Sequence, residues 1–496
     1  MNFFKTIVIT VFLVCTANKS YGQNDTSKPN IVVFLVDDLG YGDLSCYGHP
    51  FMITPNIDKF ASEGMKFTDL HSGSSICSPS RAALLTGRNP YRVGIWRLAG
   101  KNTHMRNSEV TIAEVLKKKN YQTFFSGKWH MSDINLGQPT PGDQGFDKWI
   151  IRDKDKFVSN KGNVKLEDGG SCVKVVDYSI EMLENRDKKK PFFLEVSIRE
   201  PHTPLSPPKK YMDLYDNERV RYLEKSIKYG RVLRPSYIDE NASELARYYY
   251  GTVTQLDEAF GRLMQKLDEL EVRENTLVIF TSDNGSEHPV THKNSERDRS
   301  WGTPGELRGM KRFLYEGGHR VAGLMRWPEV IASGVVSDEL VSSVDFMPTI
   351  CNIVEAEKPN VTLDGINILP VLKGYPFNRE KPLSWNICYT HAPNMAMRLG
   401  KYSLVGYFDP LKEGENLQEW IKRANLSSFE LYDLEKDIKQ EVDLKEKEHA
   451  TFVLLRDRMI ETFKGIQKEG PTWPNYKAFT RPINEGQQKG IPGAKK

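Results

Sequence analysis

The sequence predicts an α/β protein: a large, mainly parallel sheet sandwiched by helices, followed by a smaller antiparallel α+β unit. Three observations carry this. Four short apolar, β-branched runs each stop at a cluster of polar loop residues. Helical patterns lie between them. After about Pro370 the pattern changes to short strands closed by one helix. A chain of 496 residues exceeds what a single core usually serves, which also favours one large and one small unit. Its 39% hydrophobic and 27% charged content is ordinary for a globular enzyme.

Met1 to Gly22 reads as a secretory leader, with Lys5 as the basic start, Ile7 to Val14 as the apolar stretch and Ser20 to Gly22 as the cleavage site. That stretch is too short to span a bilayer. Cys15 follows Val14, a poor context for lipid attachment. Export to the periplasm or medium is expected, with no stable membrane insertion. Lys5 and Lys19 leave with the leader, so 69 basic residues become 67 against 65 acidic ones. That balance gives no general reason to expect nucleic acid or acidic lipid as a partner, and any anion preference must come from a local site.

The first apolar run, Asn30 to Val36, stops at Asp37 and Asp38. The second, Gln122 to Phe125, leads into Ser126, Gly127, Lys128, Trp129 and His130. The third, Pro191 to Ile198, leads into Glu200, Pro201, His202, Thr203 and Pro204. The fourth, Thr276 to Phe280, leads into Thr281, Ser282, Asp283, Asn284 and Gly285. Continuous apolar runs suit strands covered on both faces. Between the third and fourth, Ser243 to Leu270 carries Leu245, Tyr249, Leu256, Phe260, Leu263 and Leu267 on one helical stripe. Parallel sheets bind ligands at the carboxyl ends of their strands, so these polar residues should converge on one crevice.

Beyond Pro370, Pro382 to Tyr389, Tyr402 to Phe408 and Phe429 to Leu434 read as strands. Lys445 to Lys464 reads as a helix with Phe452, Leu455, Met459 and Phe463 facing inward. The expected boundaries are a leader over 1–22, a catalytic domain over 23–375, a C-terminal unit over 376–476 and a polar tail over 477–496. The insertion from Tyr211 to Glu240 either borders a substrate cleft or is a solvated surface excursion.

Asp37, Asp38, Asp283 and Asn284 are hard oxygen donors at the ends of two core strands, a set suited to calcium or magnesium. Loops after strands often hold Asp and Asn, but two pairs point toward metal. Arg81, Lys128 and Lys311, with a helix start at Ser78 to Arg81, would make an anion site for a tetrahedral oxyanion. His130 and His202 are suited to proton transfer near neutral pH. His288 and His319 read as structural. Without the leader the chain keeps Cys46, Cys77, Cys172, Cys351 and Cys388, so at least one stays unpaired. Cys77, in SICSPSRAALLTGR, is open to three readings: a buried thiol, half of a disulfide or a catalytic residue.

Cys77, Ser78, Pro79, Ser80 and Arg81 match the C-x-P-S-R signature of the type I, formylglycine-dependent sulfatases of the arylsulfatase A type. Asp37 to Gly40, Gly127 to His130, Pro201 and His202, Ser282 to Gly285, Gly309 to Lys311, Tyr315 to Arg320 and Glu430 to Leu434 also resemble family segments, in the family's order. The resemblance implies an alkaline-phosphatase-like fold and hydrolysis of a sulfate ester. It implies that a maturation enzyme converts Cys77 to Cα-formylglycine, whose hydrate attacks sulfur. One calcium ion would be held by Asp37, Asp38, the modified Cys77, Asp283 and Asn284. Arg81 would steady the hydrate, Lys128 and Lys311 would bind sulfate oxygens, and His130 would assist the second hydroxyl. His202 or Lys311 would protonate the leaving oxygen. Export together with this activity suggests a sulfated carbohydrate such as ulvan, carrageenan or a glycosaminoglycan. The rivals are a two-zinc phosphatase or phosphodiesterase of the same superfamily, an inactive carbohydrate-binding relative and a papain-like cysteine hydrolase.

Overall fold

The computed structural model describes residues 28–153, 156–159, 162–165, 171–215, 242–287, 300–388 and 393–474. The leader, His288, the tail and most of the Tyr211 to Glu240 insertion lie outside the described residues.

Ten strands form one sheet. In spatial order they are Val335–Ser337, Met65–Phe67, Gly323–Arg326, Thr276–Ser282, Asn30–Asp37, Phe192–Pro201, Gln122–Gly127, Lys148–Asp153, Lys156–Ser159 and Gly162–Lys165. The middle five, from Thr276–Ser282 to Lys148–Asp153, run parallel. The four predicted runs are four of these five. Antiparallel pairings appear only toward the two edges, where short strands are added.

Residues of Asn30–Asp37 show why the runs are continuous. Val32, Phe34 and Val36 enter one core cluster, while Ile31, Val33 and Leu35 enter the cluster on the other face. Alternate residues thus leave water on opposite sides, each contributing about 1.5–3 kcal/mol of burial. The long helix Ala242–Glu269 covers the first face, with Tyr249, Leu256, Phe260, Leu263 and Leu267 all fully buried. Phe260 contacts Phe34 and Phe280 edge-on, at 5.0 and 5.2 Å between ring centres.

A second sheet of four antiparallel strands follows: Leu383–Asn386, Met395–Leu399, Tyr402–Phe408 and Leu426–Asp433. The predicted strand Tyr402 to Phe408 has those bounds; of Pro382 to Tyr389, Leu383–Asn386 is strand and Tyr389 lies outside the described residues, and Phe429 to Leu434 begins earlier, at Leu426. Met395–Leu399 escaped prediction because Met, Ala, Met, Arg and Leu form no β-branched run. The short helix Leu417–Arg423 escaped too, although Asn416 and Glu419 form a capping box at its start. The last helix spans His449–Glu469, later than predicted. Asp443 accepts from the backbone of Leu431 and Lys445 at 3.0 and 3.1 Å, holding that stretch in a turn before the helix begins. Leu455, Met459 and Phe463 are buried as the pattern required, and Phe452 packs at the margin.

The second sheet is joined to the core by a buried polar cluster. Arg398 donates to Glu316 at 2.8 Å and to Asp69 at 2.9 Å. His71 donates from Nε2 to Asp69 at 2.8 Å, and its Nδ1 meets Nδ1 of His319 at 2.9 Å. The His319 ring stacks on Trp385 at 4.0 Å, and the Trp385 indole donates to the Ser72 carbonyl at 2.7 Å. His319 is therefore a structural residue of this junction. All five cysteines here are free thiols.

Burial keeps both histidines neutral: His71 is lowered from the ordinary 6.5, and His319 is lowered to about 3. The unfolded chain therefore takes up protons first as pH falls. The stability that the pair contributes is present above the unfolded value and is lost below it. Stability should thus fall as pH drops below about 6.5, by up to about 1.4 kcal/mol per pH unit for His319 down to about pH 3, and the thermal midpoint should fall with it. A His319→Asn variant should show a shallower slope; equal slopes would contradict this reading.

Candidate active site

Val36 lies opposite Ser282 in the parallel ladder, so Asp37 and Asp38 leave one strand beside Asp283 and Asn284 leaving the next. The backbone N–H of Asp283 donates to the Val36 carbonyl at 2.9 Å, carrying the pairing one step past the strand. Asp38 has a positive φ of 67°, unusual without glycine, which turns it back over the strand end. All four side chains are at most 1% exposed. Asn284 donates to Asp38 Oδ1 at 2.7 Å. A Cβ on Gly285 would lie 1.9 Å from the Gly317 carbonyl oxygen, so the strand-end loop and the Glu316 to Gly318 turn can meet only through glycine.

Cys77 is the first residue of the helix Cys77–Thr86, and Arg81 is one turn along on the same face. Arg81, 1% exposed, donates from Nε to Asp283 Oδ2 at 2.9 Å, with Nη2 2.6 Å from the same oxygen. Its Nη1 donates to the Lys128 carbonyl at 2.8 Å and to Ser197 Oγ at 2.5 Å. Lys128 Nζ pairs with Asp37. Lys311 Nζ lies 2.6 and 2.8 Å from the two oxygens of Asp38. His202 Nε2 is 3.7 Å from Asp38 Oδ2, and its Nδ1 faces the Thr203 carbonyl at 2.6 Å. His130, at a positive φ of 55°, follows Gly127 at φ 115°, and its Nδ1 is buried without a partner. Every predicted site residue is thus at one crevice.

The electrostatics follow from burial. Burial alone raises Asp37, but Lys128, His202, Arg81 and Lys311 outweigh it and hold this carboxyl well below the usual range. Burial and the neighbouring Asp37 push Asp283 up to about 7, against Arg81. Burial also lowers His130 and His202, the latter to about 4. Burial pushes the Cys77 thiol up, with Asp37 and Asp283 adding to it and Lys128 and Lys311 opposing. A papain-like mechanism needs the opposite, a thiol depressed to thiolate.

A hard cation fits this donor set. Asp37 Oδ1 and Asn284 Oδ1 are buried oxygens without hydrogen-bond partners. Unpaired buried acceptors are costly, and oxygen ligands of this kind suit calcium. Asp37, Asp38 and His202 also bring ligand atoms within 4.8 Å of one another. The other such group among the described residues, His71, Glu316 and His319, is the junction already neutralised by Arg398.

Two participants escaped the sequence reading. Ser197 fixes Arg81, yet nothing separates it from other strand serines. Glu287, 1% exposed, lies 3.4 Å from Lys311 Nζ and accepts from Arg312 Nη2 at 2.8 Å. Its position three residues after Asn284 was the available signal.

The sulfatase family matches residues 29–356, and the C-terminal part of N-sulphoglucosamine sulphohydrolase matches residues 309–465. Human arylsulfatase A is 34% identical over 444 residues, covering 82% of each chain. Rat N-acetylgalactosamine-6-sulfatase is 30% identical, over 75% of this chain and 70% of its own. The crystal structure of Ps i-CgsB in complex with k-i-k-neocarrahexaose superposes with a TM-score of 0.72 at 24% identity, covering 93% of this chain and 96% of that one, a likeness of fold. With its ten-stranded sheet, its strand-end carboxylates and these relatives, the chain belongs to the sulfatase family and is a sulfuric ester hydrolase.

Proposed function

We propose that this sulfatase hydrolyses a sulfate ester on a carbohydrate, using Cys77 converted to Cα-formylglycine and one calcium ion. The observation that carries the reading is the placement of Cys77 at the start of a buried helix, one turn before Arg81 and near the strand-end carboxylates Asp37 and Asp283. Asp37, Asp38, Asp283, Asn284 and the modified Cys77 would hold the ion. The hydrated aldehyde supplies an oxygen nucleophile with a second hydroxyl for sulfate release, and the ion supplies Lewis acidity.

The chain's own residues do the rest. Arg81 fixes Asp283 and holds the Lys128 loop in place, which keeps the residue-77 side chain facing the acids. Lys128 and Lys311 bind sulfate oxygens and stabilise the charge that develops on them. His202 or Lys311 gives a proton to the leaving oxygen, and His130 takes the proton of the second hydroxyl. Three carboxylates balance Arg81, Lys128 and Lys311, so a divalent cation makes the pocket net positive, as an anionic ester requires.

A sulfated sugar as substrate is supported by a relative named N-acetylgalactosamine-6-sulfatase and by a structural neighbour solved with a carrageenan-derived hexaose. Export is supported by the leader-like start, and no described helix is long and apolar enough to cross a membrane. Asn284, where two-zinc phosphatases often carry the histidine of an Asp-His pair, favours a single hard cation.

Replacing Cys77 by Ala or Ser should lower sulfate release by on the order of a thousandfold or more while the thermal midpoint stays within about 2 °C. Full activity of the Ser variant would contradict the hydrate mechanism. Mass analysis of the Cys77 peptide from active enzyme should show the aldehyde or its hydrate in place of the thiol; an unmodified thiol in active enzyme would contradict it. Assayed on matched esters with metal content measured, the enzyme should prefer sulfate over phosphate with calcium bound. Faster phosphate release with zinc bound would favour the phosphatase, and binding without turnover the inactive relative.

A further inference from the structure

The strand Lys148–Asp153 pairs in parallel with Gln122–Gly127, placing Ile151 opposite Gly127, which itself lies opposite Ser197. Arg152 is the next residue, still in its strand and opposite Phe157, at the end of the sheet where Lys128 and His130 follow Gly127. Arg199 lies two residues beyond Ser197, near the same end of its strand Phe192–Pro201. Both side chains are only partly exposed.

Neither arginine has a carboxylate partner among the described residues. Arg152 has no hydrogen bond or ion pair there, and its Nε is buried and unsatisfied. Arg199 donates to the Thr203 carbonyl, a neutral acceptor. The nearby acids accept from other donors and form no ion pair with either arginine. Glu200 accepts from the N–H and hydroxyl of Ser171 at 2.5 and 2.8 Å. Asp153 accepts from Asn135 at 3.3 Å, and Asp37 is taken by Lys128. Burial and the like charge of Arg199 depress Arg152 to about 10, against the opposing pull of Glu200 and Asp37.

A partly buried guanidinium that forms no ion pair with a described carboxylate, and whose Nε lacks a partner, is stabilised when an anion arrives there. Guanidinium also matches the planar or tetrahedral oxygens of carboxylate and sulfate in two-pronged contacts. Neighbouring strands lie about 4.8 Å apart, so Arg152 stands roughly one sugar substituent away from the Lys128 loop.

We propose that Arg152, with Arg199 beside it, forms a second anion subsite that selects sulfated sugars bearing another acidic group near the scissile ester, a uronic carboxylate or a second sulfate. This rests on the sulfate-ester reading and narrows its substrate class. Arg152 acts on specificity, with no part in the bond-breaking step.

The test compares matched sugars in the mature enzyme: glucosamine 6-sulfate against glucosamine 2-N,6-O-disulfate, and glucose 2-sulfate against glucuronic acid 2-sulfate. Wild type should prefer the doubly anionic member of at least one pair in kcat/KM, and which pair responds separates sulfate from carboxylate. Arg152→Met should cut that preference about tenfold, mainly through KM, and Arg152→Lys should restore part of it. Equal losses on both members, or no preference in wild type, would overturn the subsite. Calorimetric binding of the same sugars to a Cys77→Ala protein separates the two claims. A preference in binding that Arg152→Met abolishes, with no sulfate released by wild type, keeps the subsite and removes the sulfatase reading; binding indifferent to Arg152 removes the subsite itself.

Discussion

Three carboxylates, Asp37, Asp38 and Asp283, share a crevice from which water is excluded, and much of the structure is arranged to make that tolerable. Two like charges about 4 Å apart repel by roughly 4 kcal/mol at the effective dielectric of a protein site. The parallel register forces them together, because Asn30–Asp37 and Thr276–Ser282 are neighbours that end at the same level. Relief comes from three cations brought from three other segments: Arg81 from a helix start, Lys128 from the loop after Gln122–Gly127 and Lys311 from the turn beside Gly285. The buried oxygens of Asp37 and Asn284 that no donor reaches are what remains for a metal ion.

The same constraint explains why the cysteine is a poor thiolate. A helix start and nearby lysines would ordinarily depress a thiol. At Cys77 burial dominates, and two carboxylates reinforce it. The environment suits a neutral, metal-facing oxygen group far better than an anionic sulfur. Arg81 is accordingly a brace. Its donors reach Asp283, the Lys128 carbonyl and Ser197, tying three strand ends to the residue-77 helix.

Much of this was legible in the sequence for a physical reason. Strands buried on both faces must be apolar throughout, so Asn30 to Val36 and Thr276 to Phe280 announce themselves, and the residues after them must lie at the sheet edge. Asp37, Asp38, Lys128, His130, His202, Asp283 and Asn284 were readable from that alone, whereas Arg81 and Lys311 follow no such strand and gained their roles from the family resemblance that the Cys77 to Arg81 motif carries. What stayed hidden depends on long-range pairing. Ser197 looks like any strand serine until Arg81 arrives from 116 residues away. The junction of Asp69, His71, Glu316, His319 and Arg398 joins segments more than 300 residues apart. Met395–Leu399 is a strand because its neighbours on both sides supply the ladder, not because its own residues favour one.

The claim on which the rest depends is that the strand-end carboxylates form a site for one hard divalent cation. Calorimetric titration of metal-stripped enzyme with calcium tests it most directly. One ion bound per chain, with the affinity lost in an Asp283→Ala, Asn284→Ala variant that still folds, is the result this account predicts. No binding of calcium, or binding of two zinc ions in its place, would contradict it.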